Sequence, residues 1–361
     1  MNRPAGGLPV LVEFQRGGAD RIETSHQGAI AVVDSDGNLL WHAGNADRAY
    51  ALRSTAKPFQ LLPLLLDGLH LGTHDAGPLE AADLAVMMSS HNGEPMHTER
   101  IADLLSRFGV HQEALQCGTE SPALRADKER LVRANAKPSA LHCNCSGKHT
   151  NMLAVCKHRN WPLDSYLHED HPLQVRIRDI LAALTGQAHT TFPRSIDGCS
   201  LPTYWLSLTA LARMFAYIAE PQAAPGVEGR TVEAELTIAR TAAMQHPELI
   251  AGSGRLDTLL MGALQGRLFA KTGAAGLYAV ALPAGPRVPG ALGIAIKIED
   301  GDPKSRIRGT VIVEVLRQLG VATEDDIDVW DTMMNIAPPA EQNNRGLEVG
   351  TYRPLFRLQK A

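Results

Sequence analysis

The sequence has no apolar run approaching the roughly 18–20 residues of a membrane span. The stretch 59–66 is among its longest, and Pro63 interrupts it. Charge of one sign is also lacking: 35 Lys and Arg stand against 39 Asp and Glu, a formal net charge of −4. That balance argues against a nucleic-acid binder, which normally carries a basic surplus. Cysteine is scarce and odd in number, five residues at positions 117, 143, 145, 156 and 199 without the spacing of a disulfide framework. Reduced thiols are therefore expected. Residues 1–14 hold an early Arg3 and a short apolar patch containing Glu13, which does not read as a secretory signal. What is present is a 361-residue chain with 44% hydrophobic and 20% charged residues, enough to bury a sizeable core. These features predict a soluble, cytoplasmic, globular protein, and most simply an enzyme.

Both chain ends read as sheet and the middle as helix. Segments 10–13, 29–33 and 39–42 are apolar or β-branched, with Asp34-Ser35-Asp36-Gly37 as a turn between the last two. Asp34 and Asp36 lack the rest of a calcium loop. A helix is expected from Ser54 through 66, with Pro58 tolerable in its first turn. Segment 84–88 reads as a short buried strand entering the polar loop 89–93. Helices are expected at 95–108, 148–158, 172–184, 206–218, 231–245 and 304–319. The runs 277–282 and 291–298 predict a hairpin, and the Pro/Gly/Ala stretch 221–229 a loop. The fold class is α+β: a mainly antiparallel sheet built from both ends of the chain, plus a helical cluster. We read residues 1–361 as a single catalytic unit, with a sheet part at about 1–53 and 265–361 and a helical part at about 54–264.

Three short motifs occur in a telling order. Ser54-Thr55-Ala56-Lys57 is S-x-x-K at a helix start, Ser90-His91-Asn92 is S-x-N in a loop, and Lys271-Thr272-Gly273 is K-T-G before a strand. The same set marks class A β-lactamases and penicillin-binding proteins. Positions i and i+3 share a helix face, so the Lys57 amine can serve a Ser54 hydroxyl that needs a base to become nucleophilic. Each motif alone is weak, because a lone S-x-x-K is usually a capped helix with a solvated lysine.

A second constellation is His142-Cys143-Asn144-Cys145-Ser146-Gly147-Lys148-His149, with Cys199 in Ile196-Asp197-Gly198-Cys199. Soft thiols and imidazoles are zinc donors, although C-x-C is not the spacing of a zinc knuckle and buried free cysteines are commonly inert. Gly147-Lys148 fails the phosphate-loop pattern, because His142 stands where its first Gly belongs. Gly252-Ser253-Gly254 carries no dinucleotide fingerprint and reads as a turn.

Taken together, Arg53-Ser54-x-x-Lys57-Pro58, Ser89-Ser90-His91 with Gly93-Glu94, Cys145-Ser146-Gly147-Lys148-His149, Asp197-Gly198-Cys199 and Lys297-Ile298-Glu299-Asp300-Gly301 resemble the bacterial asparaginase II family, the rhizobial-type or class 3 L-asparaginases. The resemblance runs from about residue 8 to the C-terminus. It implies a fold similar to serine β-lactamases and glutaminases, hydrolysis of L-asparagine to L-aspartate and ammonia, and a homodimer. It also implies two Ser–Lys tandems, Ser54 with Lys57 and Ser90 with Lys271. A metal, commonly zinc, would be held by Cys145, Lys148 and Cys199. His149 then becomes either a group supporting the metal ligands or a substrate-side group, and Cys143 is not counted as a ligand. Charge complementarity assigns Arg53 to the substrate α-carboxylate, or to keeping Lys57 neutral, and Asp197 to the α-ammonium. The sequence leaves open which serine is the nucleophile. It also leaves open a serine-dependent glutaminase, whose substrate is one methylene longer, a β-lactamase-like hydrolase, and a zinc-binding protein without turnover.

Overall fold

The computed structural model describes residues 7–17, 21–72, 77–303, 305–323 and 327–361. Residues 1–6 of the N-terminal segment and Lys304, the expected start of the last helix, lie outside them. The chain clusters into two compact units. One, the sheet unit, comprises residues 1–50, 206–220 and 259–361; the other, the helical unit, comprises 51–205 and 221–258.

In the sheet unit the strands run 340–342, 348–354, 10–15, 22–34, 292–298, 277–282 and 269–272 from edge to edge. Each neighbouring pair in this order is antiparallel. The strand Leu39–Ala43 branches from Ile22–Asp34 and also pairs with Gln359–Lys360. Strand Leu277–Leu282 is buried at every position, as expected of a strand covered on both faces. The helix Leu208–Ala219 packs on Ile22–Asp34, Leu277–Leu282 and Leu292–Ile298. It lies so close that a Cβ at Gly293 would stand 1.8 Å from the Ala212 carbonyl oxygen. The helix Ile307–Gln318 packs on Val10–Gln15, Leu292–Ile298 and Glu348–Pro354. An α+β fold with a mainly antiparallel sheet drawn from both chain ends is thus observed. The helix expected at 206–218 belongs to the sheet unit, where its apolar residues complete the sheet's core.

The helical unit holds Ala81–Met87, Pro95–Arg107, Arg125–Arg133, Ser146–His158, Pro172–Thr185 and Glu233–Gln245. Segment 84–88, read from sequence as a strand, is the end of the helix Ala81–Met87. Its continuous apolar run fits either element by pattern alone. The cap decides it: Glu80 and Asp83 form a reciprocal capping box, and the Asp83 carboxylate receives Arg107 at 2.9 Å as well as Arg100. Among the described residues no helix is long and apolar enough to cross a membrane.

Candidate active site

The first serine sits where the chain leaves extended structure. Arg53–Ala56 is a 3₁₀ turn, and Lys57–Gln60 continues it as α-helix with Pro58 in the first turn. Three residues per 3₁₀ turn place Ser54 and Lys57 on one edge. Arg53 enters the turn at φ +48°, a left-handed conformation that costs a non-glycine residue roughly 1–2 kcal/mol. Two contacts hold it there. Its N–H donates to Thr203 Oγ1 at 3.2 Å, and its Nε donates to Asp197 Oδ1 at 2.5 Å. Asp197 is fixed in turn, because its Oδ1 accepts the Gly198 N–H at 2.8 Å and its own N–H donates to the Leu201 carbonyl at 2.8 Å. Arg53 and Asp197, both expected to face substrate, are thus brought together as an ion pair. The Ser54 hydroxyl is half-buried and has no hydrogen-bond partner among the described residues.

Lys57 is fully buried. Its Nζ donates to the Ser89 carbonyl and to the Asn144 carbonyl at 3.3 Å, and lies 2.9 Å from Ser90 Oγ. Two carbonyls can only accept, so they fix two N–H bonds. The third tetrahedral position faces the Ser90 hydroxyl, carrying an N–H in the ammonium and a lone pair in the neutral amine. Sequence spacing pairs Lys57 with Ser54, but in the structure its amine bonds to Ser90. Ser90 is anchored by its N–H to the Ile250 carbonyl at 2.8 Å. Next to it, His91 Nδ1 accepts the Gly93 N–H at 3.0 Å. Its proton therefore sits on Nε2 and is donated to Ser146 Oγ at 2.9 Å, and that hydroxyl donates to the Leu141 carbonyl at 2.9 Å. Burial first, then the neighbouring His97 and Lys57, holds His91 well below the usual imidazole range. Lys271 lies in the sheet unit, buried on the strand Phe269–Thr272, its Nζ donating to the Thr272 carbonyl at 3.2 Å.

The Cys-Ser-Gly-Lys-His string opens the helix Ser146–His158, and each of its residues has a separate task. Ser146 meets His91. Gly147 admits the helix Ala81–Met87, since a Cβ here would lie 2.0 Å from the Val86 carbonyl oxygen. Lys148 Nζ donates to Cys199 Sγ at 3.0 Å. His149 Nδ1 meets the Tyr166 hydroxyl at 2.6 Å. Cys145 Sγ lies 3.0 Å from Asn144 Oδ1 and also bonds with the thiols of Cys143 and Cys199. Those two thiols, with Lys57 and Lys148, hold Cys145 well below the ordinary thiol range despite burial. Cys199 is pushed up, first by the Cys145 sulfur and then by burial. Burial alone would lower Lys148, but the Cys145 and Cys199 sulfurs outweigh it and raise the ammonium.

Two thiols and one amine thus gather from Cys145, Lys148 and Cys199, a donor set that suits a soft divalent ion such as zinc once the amine is deprotonated. Among the described residues, no group of three or more His, Cys, Asp and Glu side chains is disposed to hold a metal. The Cys143 thiol, which meets Cys145, also donates to the Cys117 carbonyl at 3.3 Å.

The sequence pattern of the L-asparaginase II family matches residues 12–354 of the chain. The chain belongs to the L-asparaginase II family. No curated protein matches it. Among solved structures, this L-asparaginase II chain is similar to a probable glutaminase from Bacillus subtilis complexed with 6-diazo-5-oxo-L-norleucine, at 14% identity over 85% of this chain and 90% of that one, TM-score 0.39. It is also similar to a β-lactamase from Sphaerobacter thermophilus, at 16% identity over 86% and 91%, TM-score 0.36. The family assignment rests on the family pattern and on neither of these.

Sequence reasoning missed several of the groups that hold this candidate site in the L-asparaginase II chain. The Ser89 and Asn144 carbonyls are backbone and leave no residue-type signal. Tyr166 lies 17 residues from His149 in an irregular stretch. The Glu94 carboxylate accepts the Ser253 N–H at 2.8 Å and hydroxyl at 2.7 Å, tying the loop after Ser90 to the Gly252-Ser253-Gly254 turn. The one available signal was Glu94 itself, a carboxylate among small polar residues in the S-x-N loop.

Proposed function

We propose that this chain hydrolyses the side-chain amide of L-asparagine, giving L-aspartate and ammonia, with Ser54 as nucleophile and Lys57 with Ser90 as its proton relay. Family membership supports amidohydrolase chemistry. The observation that carries the mechanism is the three-cornered seat of Lys57, whose one uncommitted tetrahedral position faces Ser90 Oγ at 2.9 Å. Ser54 Oγ attacks the amide carbon, and its proton passes to neutral Lys57, directly or through Ser90. The resulting ammonium protonates the departing nitrogen and ammonia leaves. Water then hydrolyses the β-aspartyl ester on Ser54, its proton following the same path before returning to the serine oxygen. Such positioned proton transfer contributes about 10²–10⁴ in rate. The resemblance adds Lys271 to a second pair with Ser90; within the helical unit it is Lys57 that meets Ser90.

Asp197 is the group for the substrate α-ammonium, with Arg53 holding it in place. Cys145, Lys148 and Cys199 are the residues that would hold zinc, which would supply a fixed positive charge and order the loops bearing the two cysteines. His149 is assigned to the substrate side of this cluster, oriented by Tyr166.

A second reading makes Ser90 the nucleophile, because Ser90 is the serine in direct contact with Lys57. Reaction with a diazoketone analogue of asparagine, followed by peptide mapping, separates the two. An adduct on Ser54 supports the first assignment, and an adduct on Ser90 replaces it with the second. Turnover of L-glutamine in preference to L-asparagine would move the substrate assignment to the longer amide.

A further inference from the structure

We propose that Arg255 binds the α-carboxylate of the substrate, a role that rests on the amidohydrolase reading above. The guanidinium that sequence reasoning favoured, Arg53, is already committed to Asp197. Arg255 differs. It is half-buried, and its side chain makes one hydrogen bond among the described residues, from Nη1 to Asn92 Oδ1 at 3.2 Å, with no carboxylate partner among them. A neutral amide oxygen orients a guanidinium but leaves its charge uncompensated. The remaining N–H fork has the planar geometry that takes a carboxylate by two parallel bonds.

Its place in the fold fits that ligand. Asn92 follows Ser90 by two residues, a separation of at most about 7 Å along the chain. The amide and α-carboxyl carbons of asparagine are roughly 4 Å apart by bond lengths. These lengths are comparable, so an amide near Ser90 and a carboxylate at a group held on Asn92 can belong to one substrate. The holder is itself held: Asn92 Nδ2 donates to Glu94 Oε1 at 3.0 Å and to the Ser253 carbonyl at 3.1 Å. Ser253 returns two bonds to Glu94. The Gly252-Ser253-Gly254 turn, without an assigned role in the sequence, is thus the clamp that seats Arg255 beside the S-x-N loop.

The test compares ammonia release from L-asparagine and from 3-aminopropanamide, the same amide without its carboxylate, by wild type, Arg255→Gln and Arg255→Lys. Loss of a charge-assisted carboxylate contact predicts about a 10- to 100-fold rise in KM for asparagine with kcat within a few-fold. The preference for asparagine over 3-aminopropanamide should collapse in Arg255→Gln and return in part in Arg255→Lys. Unchanged KM for asparagine, or equal losses on both substrates, would overturn the assignment while leaving the amidohydrolase reading intact. If wild type turns over neither amide, that reading fails, and calorimetry with L-aspartate decides the arginine. Binding lost in Arg255→Gln supports it; binding retained, or absent in wild type, rejects it.

Discussion

Lys57 Nζ stands 2.9 Å from Ser90 Oγ while two backbone carbonyls, those of Ser89 and Asn144, hold its other two hydrogens. A buried lysine seated in this way has one direction left in which to exchange a proton. The seat predicts that shape and charge alone cannot replace it. Lys57→Met should lower kcat by about 10²–10⁴. Lys57→Arg should do no better, because a guanidinium stays charged and offers no lone pair. Steady-state ammonia release measures both, and a denaturant melt shows that each variant is folded.

The two serines are distinguished by what they lose. With Ser54 as nucleophile, Ser54→Ala abolishes covalent labelling by a diazoketone analogue of asparagine, and Ser90→Ala slows it while leaving the label on Ser54. Intact-mass measurement after timed quenching follows both reactions.

Much of this site was legible in the sequence because its chemistry uses rare side chains at fixed spacing. S-x-x-K drew attention to Lys57, since residues three apart share an edge in an α-helix and in a 3₁₀ turn, but the bond from Lys57 to Ser90 comes from a loop distant in sequence. Cys-Ser-Gly-Lys-His was legible as a unit, but its division of labour was not. Gly147 is a glycine because the Val86 carbonyl is against it, a fact set by packing between segments sixty residues apart. The strand expected at 84–88 failed because a fully buried helix end has no polar face to betray its period. The C-terminal strands Ala340–Gln342 and Glu348–Pro354 went unseen because they are short and largely polar, with pairing that comes from distant chain. Arg255 was invisible for a similar reason: only its geometry beside Asn92 separates it from other arginines.

Gly147 supplies a stability prediction. Gly147→Ala must displace one helix from another and should cost about 1–3 kcal/mol, the usual range for overpacking. Urea unfolding measures the loss. Gly254→Ala, at an open position, offers no comparable clash, and its cost comes only from its φ of +73°.

Zinc binding discriminates among the cysteines. Equilibrium dialysis with metal analysis should give one zinc per chain. Cys145→Ala and Cys199→Ala should each abolish it, and Cys143→Ala should retain it, because Cys143 is not among the proposed ligands. Zinc retained in both Cys145→Ala and Cys199→Ala would place the metal elsewhere.

Stability should fall on acidification. Burial first holds both His91 and His97 below the ordinary value of 6.5. Each is therefore neutral in the folded state while the unfolded chain takes up a proton near 6.5. The folded state is fully favoured above that pH and loses up to about 1.4 kcal/mol per histidine for each unit below it. Urea midpoints between pH 7.5 and 5.5 should decline with this slope, and His97→Gln should flatten it.

The central claim is tested most directly by ammonia release from L-asparagine, measured beside L-glutamine on the purified, zinc-supplied protein. The account predicts turnover of asparagine with L-aspartate as the other product, in excess over glutamine. No ammonia from asparagine in a folded sample would contradict it.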